Sequence, residues 1–193
     1  MATYTGTSDP DTLAGGAEDD IIRGAGGADV LTGGDGADVI YGASAALGPD
    51  DGADTIDGED GDDLIYGNAG ADTITGSLGR DTVYGGVGAD VIDYSADADK
   101  VVLSGNDGND TITGGSEDDV LKGGIDDDNI TGGDGDDTIY GGNAAVDPVD
   151  GKDTIDGGNG DDLIYGNAGN DVVTGTVGLD TIYGGLGDDS INY

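Results

Sequence analysis

Large aliphatic residues recur every nine positions along almost the whole chain. The series runs Leu13, Ile22, Leu31, Ile40, Ile56, Ile65, Ile74, Val83 and Ile92, and resumes as Ile112, Leu121, Ile130, Ile139, Ile155, Ile164, Val173, Ile182 and Ile191. Seven of these 18 residues are the centre of a run of three β-branched or aromatic residues, such as Val39-Ile40-Tyr41, which suits a very short strand. On a strand the central residue points one way and its two neighbours the other, so the aliphatics face in and their flanks face out. The six residues between runs are rich in Gly, Asp and Asn and hold no regular element, but glycine reaches positive φ cheaply and permits a tight turn. One aliphatic per strand makes no core, whereas facing strands stacked turn upon turn make a thin continuous one. The pattern therefore predicts an all-β solenoid, a right-handed parallel β-roll. Two nonapeptides form one 18-residue coil. Turns lie on both edges and two sheets of short strands face each other, over about 9–10 coils and on the order of 45 Å.

A second column runs beside the first. Two positions before each aliphatic stands an aspartate, and none of the 18 is substituted. Turn chemistry alone would accept Asn or Ser somewhere in such a series, so the carboxylate itself is what the position requires. Composition sharpens this. The 193 residues carry 43 acidic against five basic side chains (Arg23, Arg80, Lys100, Lys122 and Lys152), a net charge of −38. A self-repelling chain with 34% hydrophobic residues and 43 glycines reads as disordered on composition alone. Half of 38, about 19 divalent ions, would cancel the charge, which makes folding conditional on metal.

Cysteine and histidine are absent, which excludes disulfides, thiolate zinc sites, His-based acid–base chemistry and Ser-His-Asp triads. The acidity argues against nucleic acid and anionic membranes as partners, and no segment is long enough for membrane insertion. The stretch Met1-Ala2-Thr3-Tyr4-Thr5-Gly6 has neither the basic segment nor the apolar run of a secretory signal peptide. Catalysis is not expected, because the paired carboxylates all belong to the repeat and no irregular segment is large enough to build a pocket.

The complete unit is Gly-Gly-x-Gly-x-Asp-x-U-x, as in Gly33-Gly34-Asp35-Gly36-Ala37-Asp38-Val39-Ile40-Tyr41. It resembles the RTX family, the hemolysin-type calcium-binding repeats of secreted bacterial toxins, proteases, epimerases and surface-layer proteins. The resemblance implies that each calcium lies between turns two repeats apart on one edge of the roll. It would be held by the sixth-position aspartates of both turns and by main-chain carbonyls of the glycine-rich loops. Such hard oxygen ligands suit calcium, and magnesium, with its small octahedron and retained waters, is a poor substitute. Carried onto this sequence, one edge takes Asp11, Asp29, Asp54, Asp72, Asp90, Asp110, Asp128, Asp153, Asp171 and Asp189. The other takes Asp20, Asp38, Asp63, Asp81, Asp119, Asp137, Asp162 and Asp180. The implied carbonyls are those of Gly33, Asp35, Gly58, Asp60, Gly76, Gly85, Gly132, Asp134, Gly157, Asn159, Gly175 and Gly184. Asp9, Glu18, Glu117 and Asp126 replace the fourth-position glycine, where positive φ is expected, so sites there are distorted, weaker or missing. The resemblance also implies export through a type I system and an extracellular or cell-surface location.

A longer period of 99 overlies the first: between 67–93 and 166–192, 16 of 27 residues are identical. We divide the chain into a first half-block (1–93), a linker that continues the roll (94–104) and a second half-block (105–193). In the linker, Val101-Val102-Leu103 is expected to supply a strand with Leu103 inward, which preserves the parity of both edges. Matched insertions, Ala43 to Asp51 and Gly142 to Asp150, bulge from one edge, as a further cation site or as plain surface loops. Tyr193 corresponds to Tyr94 and Met1–Thr5 to Lys100–Ser104, so the last coil of one copy and the first of the next can imitate the internal seam and form a head-to-tail filament. The other reading is a module of a larger secreted protein that aids its secretion and folding. Tyr41, Tyr66, Tyr84, Tyr140, Tyr165 and Tyr183 form two aromatic columns on one face. They are either ordinary same-face stacking or, with Tyr4 and Tyr193, contacts for assembly.

Overall fold

In the computed structural model, residues 1–43, 52–143, 150–175 and 177–192 are described. The insertion loops between Ala43 and Asp51 and between Gly142 and Asp150, and Tyr193, lie mostly or wholly outside them. The chain is all-β and forms two ten-stranded parallel sheets. The first sheet stacks Thr3–Thr5, Ile21–Ala25, Val39–Ala43, Leu64–Ala69, Thr82–Val87, Val102–Asp107, Val120–Ile125, Thr138–Gly142, Leu163–Tyr165 and Thr181–Tyr183. The second stacks Thr12–Ala14, Val30–Thr32, Thr55–Asp57, Thr73–Thr75, Val91–Asp93, Thr111–Thr113, Asn129–Asp134, Thr154–Asn159, Val172–Thr174 and Ser190–Asn192. Every strand pairs with the strand two places on, and never with its sequence neighbour. This is a β-solenoid of about ten turns, a parallel β-roll.

Register follows the nine-residue pattern. Ile22 pairs with Ile40, Ile40 with Ile65 and Ile65 with Val83 in the first sheet, and Ile56 pairs with Ile74 in the second. The aliphatic column of each sheet faces the other, and together they form one buried core from Ile22 to Val173. Leu13 and Ile182, in coils near the ends, are only partly buried against it, and Ile191 is 36% exposed.

At the seam, Val102–Asp107 pairs with Thr82–Val87 on one side and Val120–Ile125 on the other. Leu103 enters the core and Val102 faces out. Val101 is buried where the nonapeptide units carry an aspartate, and Tyr94 is also part of the buried core. Tyr4, the counterpart of Leu103, also packs against the core.

On the outer face of the first sheet, Tyr41, Tyr66 and Tyr84 stack with centroids 5.1 and 5.2 Å apart, and Tyr140, Tyr165 and Tyr183 stack at 5.2 and 5.0 Å. Arg23 caps the first ladder 5.1 Å from the Tyr41 ring. Mutual stacking leaves only Tyr84 and Tyr183, one in each ladder, classed as exposed.

Core deletions should scale with depth in the stack. Ile130→Ala should cost about 2–5 kcal/mol, and Ile191→Ala, already partly solvated, clearly less. Urea unfolding of both variants in saturating calcium measures this.

Candidate metal centre

Each turn carries its sixth-position aspartate into the wall of the roll, just before a strand begins. From Asp20 to Asp171 these carboxylates are buried, and Asp11, Asp180 and Asp189, in coils near the ends, are half-buried. They fall in two columns that match the two edges read from the sequence. Along one, the main-chain N–H of Asp11 donates to Asp29 Oδ1 at 2.8 Å, Asp29 to Asp54 at 2.8 Å and Asp54 to Asp72 at 2.8 Å. Asp72 donates to Asp90, Asp90 to Asp110, Asp110 to Asp128, Asp128 to Asp153, Asp153 to Asp171 and Asp171 to Asp189. On the other edge Asp20 donates to Asp38, Asp38 to Asp63 and Asp63 to Asp81. Past the seam Val101 donates to Asp119, Asp119 to Asp137, Asp137 to Asp162 and Asp162 to Asp180.

From Asp20 onward one oxygen of each carboxylate is thus satisfied by the preceding coil. In many of them the second is left without a donor. The Oδ2 atoms of Asp29, Asp38, Asp63, Asp90, Asp110, Asp128, Asp137, Asp153, Asp162 and Asp171 are buried and receive no hydrogen bond. Each turns toward the first glycine of its own loop, and at Asp29, Asp38, Asp90, Asp128, Asp137, Asp153 and Asp171 a carbonyl from the next coil also arrives there. A methyl group added at Gly33 would lie 2.5 Å from both Asp38 Oδ2 and the Gly58 carbonyl oxygen. Two buried acceptors facing one small space, with no donor between them, form a cradle for a cation.

The same arrangement brings the Gly33 carbonyl to Asp20, Gly85 to Asp72, Gly132 to Asp119, Gly157 to Asp137 and Gly184 to Asp171. Gly76 and Gly175 behave differently: beside Gly58 and Gly157 the nearest atom after the carboxylate oxygen is the Cδ1 of Ile65 or Ile164. Third-position residues take part in coil-to-coil hydrogen bonds. The Asp60 carbonyl accepts the Gly36 N–H, the Asn159 carbonyl accepts the Gly135 N–H, and Asp134, one coil before Asn159, donates to the Gly115 carbonyl. Sequence reasoning missed the carbonyls of Gly24, Gly42, Gly67, Gly105, Gly141 and Gly166, which border the cradles of Asp11, Asp29, Asp54, Asp90, Asp128 and Asp153. The signal was present, since all occupy the first glycine position of the unit.

It also missed an outer ladder. The fifth-position side chains of Asp19, Asp62, Asp118, Asp136 and Asp161 accept the N–H of the next coil at 2.8–3.1 Å. Asn109 and Asn170 do the same. Asparagine therefore serves in the exposed ladder, where an amide donor completes the contact, and never in the buried one, where the second oxygen is left over.

Burial raises the inner carboxyls: Asp63 and Asp128 to about 8, Asp110, Asp137 and Asp153 to about 7, and Asp81, Asp90 and Asp171 to about 6. At Asp128 the neighbouring Asp110 and Asp153 charges add to the burial effect. Among the described residues no three acidic side chains converge to hold an ion by themselves. An ion here would be completed by main-chain oxygen, and a carboxylate–carbonyl set of this kind fits calcium.

These shifts set a pH dependence. The folded chain binds protons that the unfolded chain releases between pH 3.8 and about 8, so folding in chelator is favoured below this window and weakens as pH rises through it. Circular dichroism in chelator should show β-structure near pH 4 that is lost by pH 8.

The comparisons agree with this chemistry. The family model for the RTX calcium-binding nonapeptide repeat, in four copies, matches residues 5–44, 50–83, 66–101, 102–129, 113–145, 149–180 and 166–193. No curated protein matches the chain significantly. With the repeat matched over nearly the full length and its aspartates aligned in two buried columns, the chain belongs to the RTX calcium-binding repeat family.

Proposed function

We propose that this chain is an extracellular structural protein whose roll is set by calcium, with the ions held between sixth-position aspartates and first-glycine carbonyls of successive coils. The observation that carries the reading is the row of buried Oδ2 atoms without a donor, most of them beside a carbonyl oxygen, as at Asp29, Asp38, Asp128 and Asp153. A divalent cation satisfies both acceptors and offsets the charge of −38. RTX repeats are typical of proteins exported by type I secretion, which supports folding outside the cell, where calcium is abundant.

The finer reading is head-to-tail stacking of copies. Among the described residues, the first and last strands of both sheets pair on one side. The last coils expose Leu179 (82%), Leu186 (56%) and Ile191 (36%). Within the chain, Val102-Leu103-Ser104 docks on Thr82-Val83-Tyr84. Thr3-Tyr4-Thr5 and Thr181-Ile182-Tyr183 stand at the equivalent positions, so a second copy offers the same match. The two tyrosine ladders give such a filament a face for lateral or cell-surface contact.

Far-ultraviolet circular dichroism at neutral pH should show a coil in chelator and β-structure in millimolar calcium, with magnesium ineffective. A fold retained in strong chelator contradicts the reading. Negative-stain microscopy in calcium should show fibres. Discrete rods at every calcium level would remove the filament and favour a module within a larger exoprotein.

A further inference from the structure

The fourfold departure from glycine at the fourth loop position divides into two kinds. Asp126 takes φ 76°, and its partner at the second position, Gly124, takes φ 138°, like Gly34 and Gly36 at 107° and 118°. In that loop Asp128 Oδ2 remains without a donor. Asp9, Glu18 and Glu117 do not adopt positive φ, and neither do Thr7, Gly16 and Gly115 at the second position of the same loops. There the backbone turns an N–H onto the carboxylate: Thr7 donates to Asp11 Oδ2 at 2.6 Å, Gly16 to Asp20 Oδ2 at 3.0 Å and Gly115 to Asp119 Oδ2 at 2.7 Å. Thr7 Oγ1 adds a second donor to Asp11 at 3.0 Å.

The seam closes a fourth cradle by other means. Tyr94 stands where the next coil would supply its first glycine. Its ring occupies the space beside Gly76: an added Cβ there would meet Tyr94 Cε1 at 2.5 Å and Asp81 Oδ2 at 2.7 Å. The buried Tyr94 hydroxyl and Asp81 Oδ2 make no hydrogen bond, so it is the ring that fills the space.

Building on the calcium reading above, we infer that the cradles of Asp11, Asp20, Asp81 and Asp119 take no calcium, because a main-chain N–H, or at Asp81 the Tyr94 ring, already occupies each of them. The consequence is an asymmetry between the edges. On the edge of Asp29, Asp90, Asp110 and Asp171 the cradles pass through the seam unbroken. On the other edge Tyr94, Val101 and the closed loop of Asp119 interrupt them between Asp63 and Asp137. The two halves are therefore joined by calcium along one edge and by a metal-free joint along the other.

The test is a gain of site in the full chain. Glu117→Gly restores Gly-Gly-Ser-Gly-Asp-Asp at 114–119, and Glu18→Gly restores the equivalent loop; Asp126→Gly changes a loop that is already open. Calcium bound at saturation, counted by native mass spectrometry with circular dichroism as a check on folding, should rise by one ion in Glu117→Gly and in Glu18→Gly. It should stay at the parent value in Asp126→Gly. A parent that binds calcium together with glycine variants that gain none overturns the inference alone, as does an equal gain in Asp126→Gly. A parent that binds no calcium overturns the functional reading and the inference with it.

Discussion

The structure depends on one unfavourable contact repeated along both edges: a buried carboxylate oxygen facing a main-chain carbonyl with no proton between them. Two acceptors held together away from water are costly, and the cost recurs along the stack, at Asp29, Asp38, Asp90, Asp128, Asp137, Asp153 and Asp171. Nothing else in the roll is strong enough to ignore it. The core is one aliphatic deep per strand, and the strands are three to six residues long. Fold and cation are therefore a single equilibrium, and a chain of this charge has no reason to be compact until that contact is relieved.

Protons and calcium relieve the same contact, which explains why the inner and outer ladders differ. Both run along the turns, and both join coil to coil through a side-chain oxygen and a main-chain N–H. The outer ladder is exposed, so a spare oxygen or amide there is solvated and Asp and Asn are interchangeable. In the inner ladder the spare oxygen of Asp38 or Asp128 is sealed behind the first glycine of its loop, and only a charged carboxylate can use a cation placed there. The absence of asparagine from 18 inner positions is the trace of that burial in the sequence.

Much of this was legible in advance, because a strict period leaves few ways to fold. The aliphatic column specified core and parallel stacking, but not strand length: nine of the 20 strands run on past the three-residue run to five or six residues. The aspartate column specified the two edges, and the hydrophobic end of the linker specified how Leu103 carries the stack across the seam. Less legible was what each loop does with its backbone. Asp126 and Glu117 stand at the same place in the unit, yet the first accepts positive φ and leaves its carboxylate open, while the second avoids it and closes the loop on Asp119. An acidic residue at that position tolerates either conformation, so residue type alone does not decide. Tyr94 was equally hidden: as a residue outside the nonapeptide register it gave no sign of filling a cradle. The first-glycine carbonyls were partly missed for a different reason, since every residue has a carbonyl and only the stacked geometry says which one is brought to a carboxylate.

The most direct test is the anomalous diffraction of calcium in crystals of the loaded chain. The account predicts peaks in two columns inside the turns, each between a sixth-position aspartate such as Asp38 and a first-glycine carbonyl such as that of Gly58. Peaks confined to the outer carboxylates of Asp62, Asp136 and Asp161, or a roll of the same fold with no ordered ion inside its turns, would contradict it.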